Sequence, residues 1–435
     1  MKLEKYSFGI GDRFGVEGAA QLRPFQRASE AGVEIVPVWN KSNREHTIIG
    51  TVPGDTRREA DEAVSACNWG ASYYVDADHI GLVTVERFLD SSDFFTIDVA
   101  DSIGKPADPE SRTKFLDSMK RFKGKLWIPG VEQPFEVTDD LLNSIASKYL
   151  QAMKEAGEVC RKIAAAKGDS GFISEVSVDE AGRPQTPAEL FFILGAVAGE
   201  GIPIQTIAPK FTGAFLKGVD YVGEVAQFAR EFADDIAVVA HAVEVFGLPA
   251  NLKLSVHSGS DKFSLYPHIG RILKNTGGGI HVKTAGTTWL EELIGLAEAG
   301  GEGLKIAQEV YAEAFKRYDE LVKPYATVVH IDRSHLPNPS EVGSWTSAQY
   351  VTALRHDQSC AAFNSNFRQL VHVGYKVASD MGERFRRLLS ECRKEIEANV
   401  TLNLYERHIR PIFLEQNGKA GQTADGKTAA MSKAQ

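Results

Sequence analysis

The chain has 435 residues, 49 of them lysine or arginine against 58 aspartates and glutamates, for a formal net charge of −9. That balance excludes the broad basic footprint of a nucleic-acid binder, while local lysines and arginines can still build a pocket for an anion. A charged content of 25% with 43% hydrophobic residues is that of a globular domain, and no run approaches the roughly 18 apolar residues of a membrane span.

The N-terminal "MKLEKYSFGIGDRFG" has no apolar h-region, so no signal peptide is predicted. Cys67, Cys160, Cys360 and Cys392 lie far apart with no CxxC pair, which reads as reduced thiols of a cytoplasmic protein and argues against a cysteine zinc site. Assembly into a homo-oligomer stays open.

Short β-rich runs recur along the chain, most of them followed by a helical pattern. "KYSFGIGDR" (5–13) precedes a helix near 16–32, and "VEIVPVWN" (33–40) precedes one over 56–69. "ASYYVDADH" (71–79) leads to a short helix at 85–91 and then to "FFTIDVA" (94–100). An insertion follows to about 138, with "KLWIPGVEQPFEVTDD" as its hairpin, and a strong helix covers 139–167. "GFISEVSVDE" (171–180) precedes helix 186–199, and "IPIQTIAPKF" (202–211) precedes helix 221–247. "LKLSVHSGSD" (252–261) has a short helical follower, and "GIHVKTAGTT" (279–288) opens a long one.

Eight such units predict an α/β fold, a (β/α)8 TIM barrel over residues 1–300 with an insertion after strand 4 at about 101–138. A doubly wound open sheet is the rival, but no GxGxxG follows the first strand. Residues 301–415 read as a helical region packed on the barrel, and 416–435, nearly free of large apolar residues, as a disordered tail.

Active sites of such barrels lie at the C-terminal ends of the strands. Those ends supply Asp12 and Arg13, Asn40, Asp76, Asp78 and His79, Asp98, Glu175 and Asp179, Lys210, His257, and His281 with Lys283, whereas the N-terminal ends offer mostly apolar residues and glycine. Alternation along a strand puts Glu175, Ser177 and Asp179 on one face, Ser255 with His257 on one, and His281 with Lys283 on one. Asp78 and His79 are adjacent, so a regular strand cannot aim both inward, and one must sit just past it.

A lone histidine at a strand end is more often a hydrogen-bonding partner than a ligand. Three of them, His79, His257 and His281, on a rim that also carries carboxylates, point to one divalent metal, with zinc, manganese, nickel and cobalt all suited to imidazole. Ser258, Asp261 and Lys262 in "HSGSDKFS" suit contacts with a polyol or anion, against the plainer reading of a turn before a helix. Lys210 and Lys283 are Schiff-base nucleophiles, cations for a substrate carboxylate, or ion-pair partners. His330, Asp332 and His335 in "HIDRSH" have ligand-like composition but follow the barrel, and read as loop structure or a lid.

"DADHI", "EVSVDE", "HSGSDKFS", "HVKTAGT", "RQLVHVGY" (368–375) and "KGVDYVGEVAQFARE" (217–231) together resemble the tagaturonate epimerase family, over roughly residues 5–400. The resemblance implies an isomerase of hexuronate breakdown that interconverts D-tagaturonate and D-fructuronate. It makes Asp78 and Glu175 the acid/base pair and His79 and His257 metal ligands. The third ligand, His281, is chosen on strand geometry, and His372 in "RQLVHVGY" has no assigned role.

The two ketouronates differ at the carbon β to the ketone, whose C–H the carbonyl does not acidify. Enolisation therefore cannot invert it, and a retro-aldol/aldol route can. Such a route needs a metal, two acid/base groups and a cation for the substrate carboxylate, for which Lys210, Lys262 and Lys283 are candidates with Arg13 behind them. Lys262 is favoured, because it follows a ligand-bearing strand near a helix N-terminus. The rivals are a metal-dependent aldose–ketose isomerase or ketohexose 4-epimerase on the same barrel, a Schiff-base aldolase using Lys210 or Lys283, and a non-catalytic sugar-acid binding protein.

Overall fold

Eight parallel strands close into a barrel in the computed structural model, which describes residues 1–415 except Ala285. The strands are β1 (Tyr6–Ile10), β2 (Val36–Ser42), β3 (Tyr74–Ile80), β4 (Phe94–Asp98), β7 (Ile173–Ser177), β8 (Ile204–Ala208), β9 (Lys253–His257) and β10 (Ile280–Lys283), and β10 pairs with β1 to complete the ring. A two-stranded antiparallel hairpin, β5 (Gly124–Leu126) with β6 (Phe135–Val137), lies between β4 and the 29-residue helix Asp139–Lys167. The tail expected from residue 416 lies outside the described residues.

All eight expected strands form, each shorter than its β-rich run, and β2 and β3 run on past the expected ends to Ser42 and Ile80. The long helix covers the expected 139–167, started by Thr138, whose side chain accepts from the Leu141 N–H, and ended at Gly168. Two helices were not legible as such. Asn43–Ile49 is held by a Ser42/Glu45 capping box, and Pro109–Met119 sits inside the insertion.

The interior of the barrel changes character from bottom to mouth. Leu3, Val36, Val38, Tyr74, Phe94 and Ile173 form an apolar cluster separate from the main core. Two residues further along the same inward rows stand Asn40, Asp76, Thr96 and Glu175, all buried. Strand alternation therefore aims a column of polar side chains at the mouth above an apolar plug. Gly9 is required at this level, since a Cβ there would lie 2.9 Å from Lys283 Cγ and 2.7 Å from Asn40 Nδ2.

Helices after residue 300 pack on the barrel and over its mouth. The helix Arg393–Leu402 lies against Thr287–Ala299, and the helix Ser365–Val373 sends Arg368 into the mouth, to Asp261. Among the described residues no helix is long and apolar enough to cross a membrane, and the four cysteines are unpaired.

Candidate active site

The end of β3 resolves how Asp78 and His79 serve one site. The pairing of β3 with β4 slips between Ala77 and Ile80, and His79 adopts φ 52°, one of two positive values among non-glycine residues described. A bulge of this kind re-aims a side chain at a modest cost in backbone strain. Both residues thereby face the mouth, joined by His79 Nδ1 and Asp78 Oδ1 at 2.9 Å.

Beneath them Lys283 holds three carboxylates from two strands, β3 and β7. Its Nζ lies 2.7 Å from Asp76 Oδ2, 2.9 Å from Asp78 Oδ1 and 3.2 Å from Glu175 Oε1, and it also donates to Thr96 Oγ1. Burial opposes its charge, but Asp76, Asp78 and Glu175 outweigh it and hold the ammonium well above its ordinary pKa. Burial likewise opposes the anion of Glu175, and Lys283 and His257 overcome it, so Glu175 is kept well below the usual carboxylate range. Asp78 is lowered in the same way, by Lys283 and His79 against burial. Asp76, the deepest of the three, is pushed up to about 7 by burial.

Glu175 is also oriented. Its Oε1 accepts from Thr96 Oγ1 at 3.1 Å and lies 2.8 Å from His257 Nε2, while Oε2 is buried and has no hydrogen-bond partner. That orphaned oxygen is the free acceptor at the floor of the mouth.

Above the carboxylates, His79, Asp179 and His257 converge, with one ligand atom from each lying within 4.8 Å of the others. Asp179 Oδ2 is 3.0 Å from His257 Nδ1 and Oδ1 is 3.8 Å from His79 Nε2, and the two rings are 5.2 Å apart between centroids. Asp179 lies two residues past β7, where Ser177 Oγ donates to it. Burial works against protonation of His257, yet Asp179 and Glu175 raise it to about 9. His79 is raised as well, by Asp78 and Asp179 against burial. A field that favours a proton on each ring equally favours a cation shared by both, and two imidazoles with a carboxylate are a fitting donor set for a divalent transition metal. His79 also comes within ligand range of Asp98 and Glu180, a more exposed set.

His281, expected as the third ligand, is not brought to this group. It pairs in register with Ser7 and Ser255, two residues below the level of Lys283 and His257. Its Nδ1 is 2.9 Å from Ser7 Oγ, its ring stands 5.1 Å from that of Phe94, and burial lowers it to about 3. Parity gave the correct side of the strand and the wrong depth.

The expected substrate contacts are largely engaged within the protein. Lys262 is fully buried and donates to the carbonyls of Leu216 and Val219 at 2.9 and 2.8 Å and to Ser260 Oγ at 3.2 Å, which leaves no proton for a substrate carboxylate. Lys210 Nζ donates to Ala181 O at 2.5 Å. Ser258 Oγ donates to Lys283 O at 2.7 Å. Asp261 is fully buried and pairs with Arg368 at 2.7 Å and His356 at 3.2 Å. "HSGSDKFS" is thus the seat on which the C-terminal region docks. His335 and Asp332 form an exposed pair at 2.9 Å within a single turn, away from these groups. The reading from sequence passed over Lys217, half-buried on the loop after β8, and gave Asp179 no ligand role although it shares the Glu175 face.

The family model for tagaturonate epimerase matches residues 1–410. A protein of Thermotoga maritima named tagaturonate/fructuronate epimerase is 29% identical over 420 residues, covering 93% of this chain and 80% of that protein. The glycerol-bound crystal structure of fructuronate-tagaturonate epimerase from Cohnella laeviribosi superposes with a TM-score of 0.78 at 24% identity, covering 95% of this chain and 82% of the other. The native crystal structure of that enzyme gives 0.76 over the same shares, and both have the fold described above. The chain belongs to the tagaturonate epimerase family, and with it to the carbohydrate epimerases among the isomerases.

Proposed function

We propose that the protein interconverts D-tagaturonate and D-fructuronate by retro-aldol/aldol chemistry, with Asp78 and Glu175 as acid and base and a divalent metal held by His79, Asp179 and His257. The name of the Thermotoga maritima relative supports the substrate pair. The observation that carries the chemistry is an imidazole–carboxylate–imidazole group standing beside two carboxylates that share one ammonium.

Inversion at the carbon β to the ketone begins when a carboxylate takes the proton of the hydroxyl on that carbon. The bond to the neighbouring carbon breaks, its electron pair passes toward the ketone oxygen, and an enediolate and an aldehyde result. The aldehyde turns about its own axis, the C–C bond forms on its other face, and the new alkoxide recovers a proton. A bound divalent metal would supply Lewis-acid stabilisation to the charge that develops on the oxygens of the cleaved ketose.

The protein's own groups fit the remaining needs. Lys283 keeps Asp78 and Glu175 anionic before the first proton transfer and near their partner after it. His257 and Thr96 fix Glu175 so that Oε2 faces away from both. The C-terminal helices cover the mouth, which retains the aldehyde while it turns.

The test is to incubate the purified chain with D-tagaturonate in D2O and follow D-fructuronate by NMR, untreated, after chelation, and after adding back zinc, manganese, nickel or cobalt. Epimerisation with no deuterium at the inverted carbon is expected, because its C–H bond is never broken. Full activity after chelation would remove the metal from the scheme, and deuterium at that carbon would remove the retro-aldol route. Aldose formation would favour an aldose–ketose isomerase.

A further inference from the structure

Among the cations near the mouth, Lys210, Lys262 and Lys283 donate to protein oxygens, whereas the side chains of Arg13 and Lys217 are not so occupied. Arg13, on the loop after β1, is only 6% exposed, yet its Nε and Nη1 have no hydrogen-bond partner. Its nearest carboxylate oxygen, Glu45 Oε1, is 3.4 Å away, while Glu45 Oε2 caps Ser42. Buried guanidinium donors are rarely left orphaned, so this arrangement implies an acceptor that is not part of the chain. Lys217, half-buried, donates its backbone N–H to Val328 O, while its Nζ makes no hydrogen bond or ion pair with the described residues.

The C-terminal region braces both. Arg13 stacks 4.3 Å over the Tyr375 ring, the Tyr375 hydroxyl meets that of Tyr325 at 2.7 Å, and Lys217 Nζ lies 5.8 Å over the Tyr325 ring. Three residues before Tyr375, His372 is 1% exposed with neither ring nitrogen partnered. Its ring fits over the mouth only because residue 286 is glycine. A Cβ on Gly286 would come within 2.4 Å of His372 Nε2, and one on Gly218 within 3.4 Å of His372 Cβ. Burial, then Arg13 and Lys217, keep this ring neutral. Asp78 is among the charges that act on Lys217.

We propose that Arg13 and Lys217, with His372 beside them, bind the terminal carboxylate of the ketouronate and so set the preference for a sugar acid over the neutral ketose. This rests on the ketouronate reading above. Arginine offers a planar fork to a carboxylate, and a hydrogen bond to a charged group contributes enough for roughly a ten- to hundredfold effect on binding.

The experiment compares the full chain with Lys217→Met, Lys217→Arg, Arg13→Gln and Lys262→Met, measuring kcat and KM on D-fructuronate and turnover of D-fructose. Lys217→Met should raise the KM for fructuronate about ten- to a hundredfold with kcat within about threefold, and Lys217→Arg should restore it. Any turnover of D-fructose should change less than about twofold in Lys217→Met, because the neutral sugar has no carboxylate to lose. Lys262→Met, a structural lysine, should lower thermal stability without that split. A Lys217→Met enzyme with unchanged KM, or with kcat falling at constant KM, overturns the proposal, as does equal loss on the two sugars. If Arg13→Gln fails to fold, the two Lys217 variants decide alone. An unaltered protein that converts no ketouronate would refute the reading beneath, whereas normal Lys217 variants of an active enzyme refute only this inference.

Discussion

Asp261 Oδ2 lies 2.7 Å from Arg368 Nη2, and both side chains are fully buried. The pair ties the loop after β9 to the helix Ser365–Val373, and Arg368 also donates to the carbonyls of Gly218 and Leu354, so one guanidinium fastens three segments over the mouth. Burial opposes the Asp261 anion, and Arg368 outweighs it, so the carboxyl is held well below its ordinary range.

Removing one partner of a buried pair leaves the other charge uncompensated and costs about 3–5 kcal/mol. Asp261→Ala should lose about that much in denaturant unfolding. The depressed pKa means that the contribution is complete above the unfolded value, near about 4, and fades as pH falls through the folded one. The difference between the unaltered chain and Asp261→Asn should therefore shrink below pH of about 4. A loss under about 1 kcal/mol at neutral pH would show that the docking does not depend on this pair.

Much of this was readable before the fold. The strands announced themselves by apolar runs bounded by turn residues, and alternation placed Glu175, His257 and Lys283 inside the barrel, where they meet. Alternation tells which side a residue faces and not its height, so it aims His281 inward without showing that it lies at the level of Ser7, below the mouth. The inward turn of His79 depends on a bulge and a positive φ that no periodic pattern encodes. Lys262 looked free because its partners, the carbonyls of Leu216 and Val219, come from another loop. The Arg13–Tyr375 stack joins residues more than 350 positions apart, beyond the reach of local reading.

The donor set distinguishes Asp179 from His281. If Asp179 holds the metal with His79 and His257, Asp179→Asn should lower metal content or affinity at least about tenfold. His281→Gln should retain the metal and change stability alone. Elemental analysis of the purified variants after dialysis measures this directly, independent of activity. Loss of metal from His281→Gln with retention in Asp179→Asn would reverse the assignment.

For Asp78 and Glu175 the amide variants keep size while removing the base. General acid–base catalysis is worth about 10²–10⁴-fold, so Asp78→Asn and Glu175→Gln should each lower kcat in that range with metal still bound. Glu175→Gln should also weaken the hold on His257, whose Nε2 faces Glu175 Oε1 at 2.8 Å. Less than a tenfold loss in both variants would take these carboxylates out of the proton transfers.

A separate acidic group behind β1 predicts how stability depends on pH. Glu17 is 1% exposed, its Oε2 has no partner, and burial followed by Asp12 raises it to about 8. Glu59 and Glu292, which share this neighbourhood, are raised as well, in each case by burial first. A group whose folded pKa is raised contributes stability that is complete below its unfolded pKa of about 4.3 and is lost as pH rises through the folded value. The Tm of the unaltered chain should therefore fall between pH 6 and 9, and Glu17→Gln should flatten that fall. Parallel Tm profiles for the two proteins would show that Glu17 does not titrate in this range.

Lys283 is the last and most discriminating case, because a Schiff-base aldolase would need it as a neutral nucleophile. Three carboxylates within 3.2 Å favour its protonated form, and its stem crosses a barrel interior narrow enough to require Gly9. A protonated, fully paired ammonium has no lone pair for a carbonyl. Borohydride added during turnover should therefore neither inactivate the enzyme nor leave substrate covalently attached. Lys283→Met should be strongly impaired for a different reason, since Asp76, Asp78 and Glu175 would face one another without a cation and their pKa values would rise. Impairment of that origin predicts a pH–rate profile whose acidic limb moves toward alkaline pH in Lys283→Met or, if the variant is too unstable, in Lys283→Arg to a lesser degree. A reduced adduct at Lys283, found by peptide mass spectrometry after borohydride treatment, would instead make this lysine the nucleophile and replace the retro-aldol scheme with covalent catalysis.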